Sequence, residues 1–168
     1  GYSDPGSQSG MTRIDLLTGE YFIARELYLE AIGPLLASLE KFVRFPGAAI
    51  TVRNRISLIR AYENLNEQEL ATEHCLAIGL TQRIREGENL RPVYTVTSEV
   101  LRNIEQSQAI RVEFLVDREG FVREPQIQTD IEDAELHQAV IKAIAQFRFA
   151  PRFIDGSFVE SPNQYFVF

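Results

Sequence analysis

The chain has 168 residues, of which 45% are apolar, and a net charge of −7, enough for one ordinary domain or two small ones. The acid is uneven: residues 12–96 hold 10 basic and 11 acidic side chains (net −1), and residues 97–168 hold 7 and 12 (net −5). That balance excludes the basic footprint of nucleic-acid binding and a polybasic membrane patch. The sequence has no run of about 18 apolar residues to span a bilayer, and the single cysteine, Cys75, excludes an internal disulfide.

Residues 1–11, GYSDPGSQSG and then Met11, read as a vector-derived or disordered tail outside the fold. No signal peptide is visible, and the chain is expected to be a piece of a longer protein whose targeting segment lies elsewhere. Residues 13–89 read as helical. Over 14–45, Leu17, Phe22, Leu27, Tyr28, Ala31, Leu35, Leu39 and Phe42 recur at helical spacing. Gly33-Pro34 lies inside that stretch, where a proline should end or kink a helix, so a break is expected between Ala24 and Pro34. Phe45-Pro46-Gly47 is a stop. A second stretch runs from near Ala48 to Tyr62, with Ile56, Leu58, Ile59 and Tyr62 inward. Asn64-Leu65-Asn66 is a turn. Residues 67–69 then open a helix carrying Leu70, Ala71, Cys75, Ile78 and Ile84, with Gly87 as its expected stop.

Phe22, Tyr28 and Ala31 match the Tyr, aromatic and Ala spacing of the tetratricopeptide repeat. Leu58, Tyr62 and Ala71 match the Leu, Tyr and Ala of a second copy. Residues 12–90 therefore resemble a degenerate tetratricopeptide-like module of helical hairpins. Ala31 and Ala71 lie 40 residues apart, longer than the usual 34. Two copies are fewer than the three or so that build a continuous core, so the C-terminal part is expected to cap them. The resemblance implies a concave groove for a partner helix or peptide. Arg53, Arg55 and Arg60 lie near one helix face, which suits either an acidic partner or plain solvent.

Residues 91–168 read as a small α+β domain. Pro92 biases Arg91 towards extended structure. Thr97-Ser98-Glu99 can cap a short helix with Val100, Leu101 and Ile104 apolar. Ile110, Val112, Phe114 and Val116 alternate with Arg111, Glu113 and Asp117, the period of a half-buried strand. Asp117-Arg118-Glu119-Gly120 is a turn, and residues 121–129 fold back as a second strand. Pro125 there marks an edge or a bulge. Ala134, Leu136, Ala139, Val140, Ala143, Ile144 and Phe147 then form one apolar helix face, with Asp130, Glu132, Asp133 and Glu135 crowding its start. Pro151 stops the helix, Asp155-Gly156 turns, and residues 158–168 supply a last strand. The expected order is second–first–third, antiparallel, with one open edge on the last strand.

This pattern resembles the C-terminal domain of TonB-type energy transducers over about residues 97–168. The matching residues are Val112, Phe114, Val116-Asp117, Gly120, Val122, Leu136, Ala139, Ala143, Phe147-Arg148-Phe149-Ala150-Pro151, Asp155-Gly156 and Phe168. By spacing from Phe114, the Tyr-Pro pair of the family falls on Thr97-Ser98, and its glycines fall on Glu105 and Gln108. Phe147 stands where Trp is usual. The resemblance implies a bacterial, periplasmic, cell-envelope protein coupled to energy transduction, with no cofactor and no bond chemistry. It implies that the partner, an N-terminal segment of an outer-membrane receptor, adds as a strand to the edge formed by Val159, Glu160, Gln164, Tyr165, Phe166 and Val167. The same edge can instead be covered by the helical module, by the tail or by a homodimer mate. The alternative function is a periplasmic scaffold in which the helical module binds the partner.

Catalytic signals are sparse. His137 and Asp133 stand at i, i+4 on one helix face, half a metal site at best. His74 and Cys75 are adjacent and diverge on a helix, so Cys75 reads as core. No phosphate loop, nucleophile elbow or zinc spacing is present. The expectation is therefore no catalytic residue, no metal and no cofactor.

Overall fold

The computed structural model describes residues 5–103 and 108–168, and side chains from residue 13 onward. The chain is α+β and divides into two compact units, Gly1–Thr81 and Gln82–Phe168. Among the described residues no helix is long and apolar enough to cross a membrane.

The first unit is two helical hairpins: α1 (Pro5–Ala24) with α2 (Tyr28–Phe42), and α3 (Ala49–Asn64) with α4 (Gln68–Gly79). The two turns are the same turn, 40 residues apart. Glu26 and Asn66 both adopt positive φ, at 58° and 59°. Leu27 N–H donates to Phe22 O at 2.9 Å, and Glu67 N–H donates to Tyr62 O at 2.9 Å. Ala31 and Ala71 are both fully buried, which allows each helix pair to approach closely. Gly19 does the same from the other side, since a Cβ there would lie 2.5 Å from the Leu35 side chain.

Several expectations need correction. Helix α1 starts at Pro5, inside the stretch read as a tail; a proline in the first helical turn lacks only an N–H that has no helical partner. Residues 1–4 of that tail lie outside the described residues. The expected break falls at residues 25–27, and Pro34 stays inside α2. Burial of Ala31, Leu35, Ser38 and Leu39 along one face holds the helix through the bond that proline removes. Ile56 and Leu70 are partly exposed rather than core, because the buried stripe of α3 runs through Thr51, Asn54, Leu58, Ala61 and Tyr62, and that of α4 through Ala71, His74, Cys75 and Ile78. Helix α4 ends at Gly79, well before Gly87, where the Thr81 hydroxyl takes the Ile78 carbonyl at 3.2 Å.

Asn54 is a buried polar residue with no sequence signal. In the amide orientation that satisfies its neighbours, it donates to Leu35 O (3.0 Å) and accepts from Ser38 Oγ (2.8 Å) and Leu39 N–H (3.1 Å). It ties α3 to the middle of α2.

The second unit contains β1 (Pro92–Tyr94), α5 (Glu99–Arg102), β2 (Arg111–Val116), β3 (Val122–Ile127), α6 (Ala134–Ile144), β4 (Arg148–Phe149), β5 (Arg152–Ile154), β6 (Ser157–Val159) and β7 (Ser161–Val167). The main sheet is antiparallel in the order β3-β2-β7. Val112, Phe114 and Val116 face α6, where Val140, Ile144 and Phe147 close the core. Pro125 sits at both an edge and a bulge. The β2–β3 register slips between Glu113 and Leu115, and Glu124 carries φ 52°. Ser98 caps α5 by accepting from Leu101 N–H; Ile104 of the expected short helix lies outside the described residues. The unit begins at Gln82 rather than near residue 91. Ile84 and Leu90 join its core, and Gln82 donates to the carbonyls of Ala150 and Pro151.

The single long last strand is also corrected. Asp155 (φ 50°) and Gly156 (φ 81°) form a two-residue turn with positive φ at both positions. Such a turn closes a hairpin, so 152–154 and 157–159 pair with each other.

Gly120 and residues 147–151 act together at one place. Gly120 has φ 87°, and a Cβ there would lie 2.0 Å from Phe149 O. Phe149 N–H donates to Gly120 O at 2.9 Å. The buried Arg148 guanidinium stacks 3.7 Å over the Phe121 ring and donates to Glu119 O. Pro151, two residues beyond Phe149, lies with its Cδ 3.5 Å from the same virtual Cβ. Gly120→Ala therefore combines backbone strain with a main-chain clash and is expected to destabilise the second unit by about 3 kcal/mol. Urea unfolding followed by Phe/Tyr fluorescence checks this, and a loss under about 1 kcal/mol contradicts the clash.

Candidate functional site

The outer edge of β7 is built by alternation. Ile110 and Phe168 exchange both main-chain bonds, at 3.3 and 2.9 Å. The register then runs Arg111 opposite Val167, Val112 opposite Phe166, Glu113 opposite Tyr165 and Phe114 opposite Gln164. In an antiparallel ladder bonded and non-bonded pairs alternate. Phe166 and Gln164 therefore bond inward to β2, and Tyr165 and Val167 turn their N–H and C=O outward. The usable edge is short, because the register slips before Gln164, where Pro162 is followed by Asn163 at φ 55°.

The two outward pairs differ. The Asn89 side chain donates to Tyr165 O at 2.8 Å and accepts from Tyr165 N–H at 2.9 Å. Beside it, Leu90 N–H donates to the buried Gln164 Oε1 at 2.7 Å. Among the described residues nothing bonds the outward N–H and C=O of Val167. Next to Val167 opens an apolar cavity of about 530 Å³, lined by Val96, Leu101, Phe147, Phe166 and Phe168 among others. Phe147, Phe166 and Phe168 pack edge-to-face or tilted against one another, with ring centroids 4.9–5.8 Å apart. On the opposite face, the Arg111 guanidinium lies 4.0 Å over the Tyr165 ring and pairs with Glu113 at 3.3 Å.

The structure thus brings together Gln164, Tyr165, Phe166 and Val167 of the expected edge, and leaves two expected residues out. Val159 pairs with Arg152 in the β5–β6 hairpin, and Glu160 is the link between β6 and β7. Asn89 was invisible to sequence reasoning. It lies in a connector with no period, and only the fold brings it to β7.

The other candidates resolve differently. Asp133 is the N-cap of α6, accepting from Glu135 and Leu136 N–H, and His137 is exposed. Among the described residues no three His, Cys, Asp or Glu side chains gather as a metal site. Arg53 forms an ion pair with Glu20 at 2.5 Å, and Arg55 turns to His74 Nδ1 at 2.9 Å. Cys75 is buried, and the His74 ring stacks on Tyr62 at 5.8 Å. Comparison with protein-family models, curated proteins and solved structures finds no match to the chain.

Burial, and secondarily the Arg55 charge, push His74 down to about 4. Burial lowers Arg55, and burial with Glu73 and Glu67 raises Tyr62. An unfolded histidine titrates near 6.5. Below that pH the unfolded chain takes up a proton that the folded ring refuses, so the stability from neutral His74 is complete above about 6.5. It falls by up to about 3 kcal/mol as the pH drops to about 4, then levels off. Urea midpoints of wild type and His74→Gln between pH 7 and 4 check this, with the variant expected to lose less stability across that window.

Proposed function

We propose that the chain is a non-enzymatic, peptide-binding protein of the bacterial cell envelope that captures an extended segment of an outer-membrane partner by strand addition at β7. The supporting observation is the outward N–H and C=O of Val167 beside the apolar cavity at Phe147, Phe166 and Phe168. Strand addition needs main-chain groups for affinity and pockets for alternate side chains, and both are within one strand end. The likeness of residues 97–168 to TonB-type C-terminal domains extends this reading to energy transduction and a periplasmic location. Neither a metal nor a cofactor enters this role.

A second reading has its own observation. Asn89 already holds the Tyr165 pair, which shortens the open edge, and the helical hairpins repeat the same turn at 40 residues. In that reading the chain is a scaffold, its hairpins bind the partner, and the C-terminal unit is structural.

The test is amide exchange at Val167 with ten-residue synthetic peptides taken from the N-terminal segments of outer-membrane receptors. Strand capture is expected to slow the Val167 amide at least tenfold. Val167→Pro, tolerable on an edge but unable to donate, should abolish peptide binding and leave the β2–β7 amides protected. No protection by any peptide, or equal binding by Val167→Pro, moves the function to the helical hairpins.

A further inference from the structure

We infer that Asn89 is an edge guard: its side-chain amide stands in for the peptide group of a neighbouring strand and keeps a second copy of this chain from pairing along β7. Three observations carry this. First, the Asn89 amide makes both bonds a partner strand would make at Tyr165, one donated at 2.8 Å and one accepted at 2.9 Å. Second, β7 (SPNQYFV) holds no charged residue, although edge strands are commonly protected by inward or flanking charges. Its own protection is confined to the start, at Pro162 and the positive-φ Asn163. Third, Tyr165 and Val167 are well exposed on one face of the strand, at 39% and 46%. A two-fold antiparallel pairing centred on Phe166 sets Tyr165 of one copy opposite Val167 of the other, twice. All four outward main-chain groups on each strand are then bonded. Asn89 blocks half of them.

The opposite edge of the sheet is protected differently. β3 carries Arg123, Glu124 and Pro125 with a bulge, so it needs no such guard. The second copy is the occupant for which β7 is self-complementary, and Asn89 is the one side chain among the described residues that competes for Tyr165. The inference concerns the free protein and stands whether or not β7 also takes a peptide.

Asn89→Ala and Asn89→Asp test it in the full chain, by hydrogen exchange at Tyr165 and Phe166 and by sedimentation from micromolar to millimolar concentration. In dilute Asn89→Ala the Tyr165 amide should exchange roughly three- to tenfold faster, the range of one lost hydrogen bond, with Phe166 unchanged. At high concentration that variant should dimerise, and Tyr165 should become protected again. Asn89→Asp keeps an acceptor for Tyr165 N–H, sets a second carboxylate oxygen against Tyr165 O and puts a charge on the edge, so it should remain monomeric at every concentration. Unchanged Tyr165 exchange in Asn89→Ala overturns the inference. So does faster exchange shared equally by Phe166, which reports loss of the sheet rather than of the guard. An Asn89→Ala chain with an open Tyr165 that stays monomeric at every concentration overturns it too.

Discussion

The second unit depends on one close approach, the main chain of Phe149 against Gly120. Only a residue without a Cβ leaves room for the Phe149 carbonyl, and only positive φ turns the hairpin into that position. The contact fixes the β2–β3 turn to the segment leaving α6. Arg148 then spreads over Phe121, and Phe147 and Phe149 enter the core from either side of it. With the end of α6 held there, the returning chain is delivered beside β2, and β7 becomes an edge. The outward direction of Tyr165 and Val167 then follows from the Ile110–Phe168 pair and the alternation that runs from it.

Much of this unit is legible in the sequence because its signals are local. Ile110 to Val116 alternates, the α6 face repeats at three and four, and Asp133 precedes its helix as a cap should. Pro125 announces a bulge because proline cannot donate. The failures are those of residues whose partners are distant in sequence. Val159 and Glu160 look like strand beside Tyr165, but the Asp155-Gly156 turn commits their neighbours to a separate hairpin. Asn89 sits in an aperiodic connector, and its partner is 76 residues away. Ile56 fits a helical stripe, and the actual stripe of α3 is shifted so that Thr51 and Asn54 are buried instead.

The first unit shows how polar groups can specify an all-helical arrangement. Asn54 reaches Leu35 O and Leu39 N–H, the two groups that bond each other in an uninterrupted helix. Arg55 and His74 form a second polar link, between α3 and α4. An apolar pair at either place would fill the volume and leave the helices free to slide. These links fix the register, while Ala31, Ala71 and Gly19 set the spacing between helices.

The pairing of β2 with β7 also sets a timescale. Each helical hairpin of the first unit closes over a three-residue turn, and helices and local contacts form in microseconds. Arg111 meets Val167 only after β3, α6 and the β5–β6 hairpin have been laid down between them. Closing so long a loop has an entropic cost that must be met before the strand contacts reward it. During synthesis the helical unit leaves the ribosome before the second unit. The sheet waits for β7, and until it arrives β2 has an unpaired side.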